Sequence, residues 1–429
     1  MVSASGDAAW LLTASSMVLF MTVPGLALFY AGLVRVRSVI STMMYSFLAS
    51  AVAALVWLLL GFGLAFGRDV AGFIGDPSRY LAWLGVPTPE ATPADVNPIL
   101  ADSVPIAAFV GFQGVVAALA VAIISSAVVE RVRVEAWILF SMLWLVLAYS
   151  VVAHWVWGGG WAQKLPETLG LPGVLDFAGG IVVHVASGFS ALVLALLLGR
   201  RRAVERVEPV PHNVPMVLLG TGILWFGWMG FNTGSALAAD SIASNAWLVT
   251  NVAAATGGIT WLLLTLAATG RASSTAFASG VLAGLVAVAP CAGYVGPLDA
   301  IPIGAVASII SYNAVNWRIS RGIDETLDAW AVHGMSGLWG SIAAGVFANP
   351  AVSGRTGLLY AIATGEPLTG ALQLASQVLA SIATIAYVAA ATTAIYYVVE
   401  KLVGWRVPEE AEYAGLDASE YSEQAYLTV

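Results

Sequence analysis

Two histidines stand inside apolar stretches that carry no charge, and each opens the same short pattern. His184 begins H-V-A-S-G-F and His333 begins H-G-M-S-G-L. A neutral imidazole both donates and accepts hydrogen bonds, and ionisable side chains at membrane depth line a path or a site. A repeated H-x-x-S-G on two apolar segments points to a duplicated half, with one site shared between the halves. A purely structural pair would need only neighbouring hydrogen-bond partners. A metal centre would need further ligands, and no other His, Cys or carboxylate falls at the same depth: His154 lies near one end of the fourth apolar stretch and His212 at the start of the sixth. A path for a small hydrogen-bonding molecule needs only the pair and a way in.

Other residue types fit such a path. Asp176 lies eight residues before His184 and Asp328 five before His333. A carboxylate at a helix start caps backbone N–H groups and suits the helix dipole; Asp176 also brings a negative charge that attracts cations. Trp157 abuts Gly158-Gly159-Gly160, and an indole face holds a small cation by cation–π attraction.

The elements that must position these residues follow from composition. The chain has 429 residues, 59% hydrophobic and only 10% charged, with a mean hydropathy of +0.86. Soluble domains carry about 25% charged residues, so this is an integral membrane protein. Eleven stretches of at least 18 residues lack Asp, Glu, Lys and Arg: 8–34, 38–67, 103–129, 136–163, 177–199, 209–239, 241–270, 272–298, 300–317, 329–354 and 367–399. About 20 residues of helix cross a bilayer, and none of the stretches alternates as barrel strands do. The expected fold is an all-α polytopic bundle of eleven transmembrane helices, with the 300–317 stretch the shortest.

Of the 17 Lys and Arg, 13 follow odd-numbered spans. Cytoplasmic loops carry that excess, so the N-terminus is expected outside and the C-terminus inside. No positive segment precedes the first stretch, which reads as a retained helix rather than a cleaved signal. The formal charge of −8 owes much to an acidic end (Glu409, Glu410, Glu412, Asp417, Glu420, Glu423), which does not point to nucleic acid. Cys291 is the only cysteine, so no intramolecular disulfide forms. Residues 1–403 read as one membrane domain and 404–429 as an acidic cytoplasmic tail.

Eleven spans divide into two five-helix halves plus a final helix. Five is odd, so the second half enters from the opposite side and the halves are inverted. Both histidines lie on the fifth span of their half, roughly 12–14 Å along it at 1.5 Å per residue. That is near the middle of a ~30 Å core, so the imidazoles can meet.

Several stretches resemble the ammonium transporter family (Amt/Mep, with the Rh proteins as relatives). They include F-M-T-V-P-G-L-A-L-F-Y-A-G-L at 20–33, A-F-V-G-F-Q-G at 108–114, A-H-W-V-W-G-G-G at 153–160, D-F-A-G-G-I-V-V-H at 176–184, G-W-M-G-F-N-T-G-S at 227–235 and D-A-W-A-V-H-G at 328–334. The resemblance implies an eleven-helix homotrimer with one pore per subunit, conducting ammonium or ammonia across the lipid bilayer without a cofactor. It makes His184 and His333 the twin pore histidines. It places Trp157, Ser235 and Phe112 at the outer recruitment site for ammonium, Phe231 at a gate below it, and Asp176 close by in a structural role. It also implies a tail that docks on neighbouring subunits and receives a PII-type regulatory protein. One departure stands out: the second gate position, four residues after Phe112, is Val116 where the family has Phe, so one aromatic wall is missing. A sensor that signals through the tail is the alternative reading, whereas an enzyme is not expected because no nucleophile or metal set accompanies the histidines.

Overall fold

The computed structural model describes residues 5–86, 91–100, 103–204 and 210–426. Among them, nine helices are long and apolar enough to cross a membrane: Ser5–Leu33 (α1), Val36–Phe66 (α2), Ile106–Ala127 (α3), Val134–Trp157 (α4), Gly180–Leu198 (α5), Val214–Gly234 (α6), Ser241–Thr269 (α7), Pro297–Ser320 (α9) and Pro367–Leu402 (α11). A shorter apolar helix, Ser274–Val288 (α8), lies between α7 and α9. Trp330–Met335 continues into Ser336–Phe347 to form α10. The shortest stretch, 300–317, lies within an unbroken helix of 24 residues: Pro297 sits in its first turn, where a missing N–H costs nothing. The only sheet among these residues is an antiparallel pair, Asp69–Val70 with Ile74–Gly75, in the loop after α2.

Backbone polar groups satisfied within each segment make helices the natural spans; what orders them here is the small-residue seams. A Cβ at Gly257 would lie 2.3 Å from the Gly280 carbonyl oxygen, and one at Gly284 2.1 Å from that of Ala253. Glycine there lets α7 and α8 touch backbone to backbone. The same device joins α5 to α10, where a Cβ at Gly188 would fall 2.3 Å from Gly334 N. Helix α11 lies across α4, α5 and α10.

The loops after α1, α3, α5 and α9 meet on one face through ion pairs on two buried acids, Glu130 and Asp324. Glu130 takes Arg35 (3.1 Å) and Arg201 (2.8 Å), while Asp324 takes Arg201 (2.9 Å) and Arg131 (3.5 Å). The acidic end packs on this face as two short helices, Glu409–Ala414 and Leu416–Tyr421. Glu412 is buried against Arg406 (2.7 Å). Asp417 accepts the backbone N–H groups of Ile40 (3.0 Å) and Ser41 (2.8 Å) at the start of α2. The sequence leads one to expect the arginines after the fifth span (Arg200, Arg201, Arg202, Arg206) to pair with the acidic tail; Arg202 meets Glu409 at 3.8 Å, but Arg201 is committed to Glu130 and Asp324 instead. Burial explains that choice: a guanidinium taken out of water is held by fixed partners. Arg206 lies outside the described residues.

Candidate functional site

Helices α5 and α10 begin with the same device. At α5, the Asp176 carboxylate accepts four backbone N–H bonds, from Gly179 (2.9 Å), Gly180 (2.6 Å), Ile181 (2.9 Å) and Val182 (3.1 Å). The chain turns at Gly179, whose φ of 97° suits glycine. At α10, a Glu325 carboxylate oxygen accepts the Trp330 N–H at 3.1 Å and the Ser126 hydroxyl bonds to the other oxygen. The positive φ falls on Asp328 (63°). Each acid thus lies three residues before the left-handed position and eight before a histidine. Asp328 does not cap α10 with its side chain; it pairs with Arg318 at 2.7 Å, and Asp324 sits in the ion cluster. Burial pushes the Asp176 carboxyl up to about 6 against the pull of its four amide bonds. Burial, then the charge of Asp328, pushes Glu325 up to about 7.

Both histidines fall in π-helical turns, Gly180–Val185 and Trp330–Met335. Such bulges rotate one side chain out of helical register and recur at functional sites. The glycine closing each H-x-x-S-G makes room: Gly188 faces Gly334, and a Cβ at Gly337 would press on the His184 Cβ at 2.8 Å. The imidazoles therefore meet, with Nδ1 to Nδ1 3.2 Å apart and ring centroids at 5.3 Å. Only one Nδ1 can hold the shared proton, so with both rings neutral one Nε2 carries hydrogen and the other is bare. His184 Nε2 has no hydrogen-bond partner among the described residues.

The rings are walled by aromatics. Trp228 stacks on His184 (5.3 Å, 18°) and lies nearly parallel to His333 (6.4 Å, 16°). Phe231 stands edge-on to His184 (6.0 Å) and to Trp228 (5.8 Å). Phe231 and His184 are fully buried.

On one side of this plug a cavity of about 470 Å³ is lined by Phe112, Val116, Trp157, Asp176 and Ser235, together with Gln113 and Gln163. Trp157 donates its Nε1–H to the Asp176 carbonyl oxygen (2.7 Å), which fixes the indole. The Ser235 hydroxyl donates to the Phe231 carbonyl (2.9 Å), leaving its lone pairs to accept. The Phe112 ring packs so close to Gly234 that a Cβ there would lie 2.6 Å from it. On the other side a cavity of about 270 Å³ is lined by Tyr30, Trp261, Ser279, Asp328 and His333. His333 faces this second cavity, and His184 lines neither.

The remaining histidines stand apart. His154 bonds Asp69 and the Ala65 carbonyl, while His212 lies 2.9 Å from the Val34 carbonyl and 3.2 Å from the Tyr426 hydroxyl. No group of three or more His, Cys, Asp or Glu able to hold a metal occurs among the described residues. Sequence reasoning missed Trp228 and Glu325. Trp228 precedes Phe231 by three residues, on the same helix face; Glu325 repeats the eight-residue interval of Asp176 to His184.

Residues 9–426 match the Ammonium Transporter Family. The chain is 42% identical to ammonium transporter Amt1 of Archaeoglobus fulgidus over 421 residues, covering 98% of this chain and 99% of that protein. The fold is similar to solved Mep2 of Candida albicans (TM-score 0.82, 33% identity, 95% of this chain and 87% of that one). It is also similar to a solved sensor Amt protein (TM-score 0.83, 28% identity, 97% and 98%). With a match across nearly its whole length, this membrane protein belongs to the ammonium transporter family.

Proposed function

We propose that the chain moves ammonium across the membrane by splitting it, passing ammonia along the His184–His333 pair. The observation that carries this is the contact of the two imidazoles at 3.2 Å, buried between one cavity and the other. A bare cation of this size faces a Born cost of order 20 kcal/mol on entering a medium of ε near 4; neutral ammonia avoids most of it. The outer cavity holds the cation with the Trp157 face and the Ser235 hydroxyl, Phe112 nearby. At the Phe231 plug the ion passes its proton to water of the outer cavity, and the proton it later regains comes from water of the second cavity. Ammonia then donates to the bare imidazole nitrogen and accepts from the protonated one, and regains a proton in the second cavity. Potassium has no proton to give up, so the dry segment rejects it.

In this reading α1 to α11 are the eleven spans, two inverted groups of five plus α11. The recurrence of acid, left-handed turn, π turn and histidine on α5 and α10 supports the inversion. The Arg-rich face made by loops after odd-numbered helices is cytoplasmic, with the N-terminus outside, and three subunits assemble with one pore each. Residues 1–403 form the membrane domain and 404–429 a regulatory tail. Uptake of labelled methylammonium by cells expressing the chain, competed by ammonium, tests the transport reading; no uptake by correctly inserted protein would refute it.

Two outcomes follow. Val116→Phe fills part of the outer cavity with an aromatic face worth about 0.5–2 kcal/mol to a cation. The ammonium half-saturation should fall by about two- to thirtyfold, read from concentration-dependent ammonium flux; an unchanged value would make Val116 neutral for capture. Deleting residues 407–429 removes Glu412 and Asp417 from the loop cluster and the start of α2. The bundle should still assemble, while the transport rate changes and any inhibition by a PII-type partner disappears. Identical transport and inhibition in the truncated protein would remove the regulatory role.

A further inference from the structure

We propose that Asp69, His154 and Lys164 form a positioning set that fixes the wall of the outer cavity and thereby sets its affinity for the cation. The proposal rests on the transport reading above. Asp69 opens the hairpin after α2, and its carboxylate closes the turn by accepting the Gly72 N–H at 2.9 Å. One carboxylate oxygen also takes His154 Nε2 at 2.9 Å and the other takes Lys164 Nζ at 2.8 Å. The far side of the imidazole, Nδ1, lies 2.9 Å from the Ala65 carbonyl oxygen in α2. The fully buried His154 ring is thus held between two acceptors, a carbonyl and a carboxylate.

What this knot holds is the cavity wall. His154 lies one turn before Trp157 at the end of α4, and Lys164 sits between Gln163 and Pro166; Trp157, Gln163 and Pro166 all line the outer cavity. A single carboxylate therefore joins the turn that presents the indole to the loop that forms the neighbouring wall. The hairpin is wrapped onto the same helix end by Trp155 Nε1–H to the Phe73 carbonyl (3.0 Å) and Trp161 N–H to the Gly72 carbonyl (2.9 Å). The fit at Gly158 is tight: a Cβ there would lie 1.9 Å from the Ala65 oxygen and 2.7 Å from His154 Nδ1. Asp69, His154 and Lys164 are not among the lining residues, so they act through those they hold. Burial raises the Asp69 carboxyl, but the bonds from Lys164 and His154 outweigh it and keep the group below the ordinary carboxylate range. The knot is therefore closed at neutral pH.

The test uses the full chain in liposomes, with ammonium-dependent rate measured against concentration for Asp69→Asn, Lys164→Met and the conservative Lys164→Arg. Asp69→Asn should raise the half-saturation about tenfold, the order of one lost charge-assisted hydrogen bond expressed as affinity. Lys164→Met should raise it less, because that pair is partly exposed. The maximal rate should stay at the parental level, the double variant should be no worse than Asp69→Asn alone, and Lys164→Arg should restore parental affinity. An unchanged half-saturation, or a maximal rate that falls while the half-saturation stays fixed, would reduce the knot to a loop fastener. Should Asp69→Asn not assemble, Lys164→Met against Lys164→Arg decides the same question. A parental protein without ammonium flux would instead remove the transport reading, and this proposal with it.

Discussion

His184→Ala and His333→Ala should each abolish selective ammonium transport while leaving an assembled membrane protein. Each substitution removes one member of the 3.2 Å pair and opens a cavity beside Trp228, so the remaining imidazole has no relay partner. The loss should exceed about a hundredfold, because ammonia in the dry segment loses a hydrogen-bond partner and an unmet buried polar group costs roughly 2–7 kcal/mol. The backbone of both π turns is held by Asp176 and Glu325 rather than by the imidazoles, so folding should survive. Flux and size-exclusion behaviour measured on the same preparations check both halves of this. Parental rates with potassium still excluded would show that the pair is not the path.

Asp176→Ala should have the largest effect on stability. The carboxylate satisfies four buried N–H groups at the start of α5, and each buried donor left unmet costs about 1–3 kcal/mol. A loss of several kcal/mol unwinds the turn that carries His184 and frees the carbonyl that anchors Trp157. The variant should assemble poorly and transport nothing. Asp176→Asn keeps one acceptor oxygen and should lie between the two. Thermal unfolding in detergent, read beside flux, separates this from an electrostatic role: a fully stable but inactive Asp176→Ala would assign the carboxylate to the cation and not to the helix.

Much of the bundle was legible because a bilayer forbids unpaired charge, so uncharged runs mark spans, and nine of the runs meet helices long and apolar enough to cross among the described residues. The two histidines were legible for the same reason, being polar groups in such runs with a shared motif. Their π turns were not, since neither segment carries a proline or an unusual residue that would announce an extra i→i+5 bond. Glu325 was hidden among three acids within five residues (Asp324, Glu325, Asp328), and only the eight-residue interval singles it out. Trp228 was lost among 16 tryptophans, because stacking on an imidazole is a tertiary fact. Asp69 meets His154 across 85 residues of sequence, a distance no local pattern bridges. Arg201 was misplaced because a cluster of arginines beside an acidic tail does not reveal which guanidinium is buried.

Ammonium should cross as ammonia through the dry pair, with potassium excluded. Liposomes holding the purified chain, given equal inward gradients of ammonium and then of potassium, test it most directly through flux and internal pH. Saturable ammonium flux above protein-free liposomes, with no potassium flux, is the predicted result. Potassium moving at a rate comparable to ammonium would contradict it, because an intact cation would then have crossed a path that only a neutral molecule should enter.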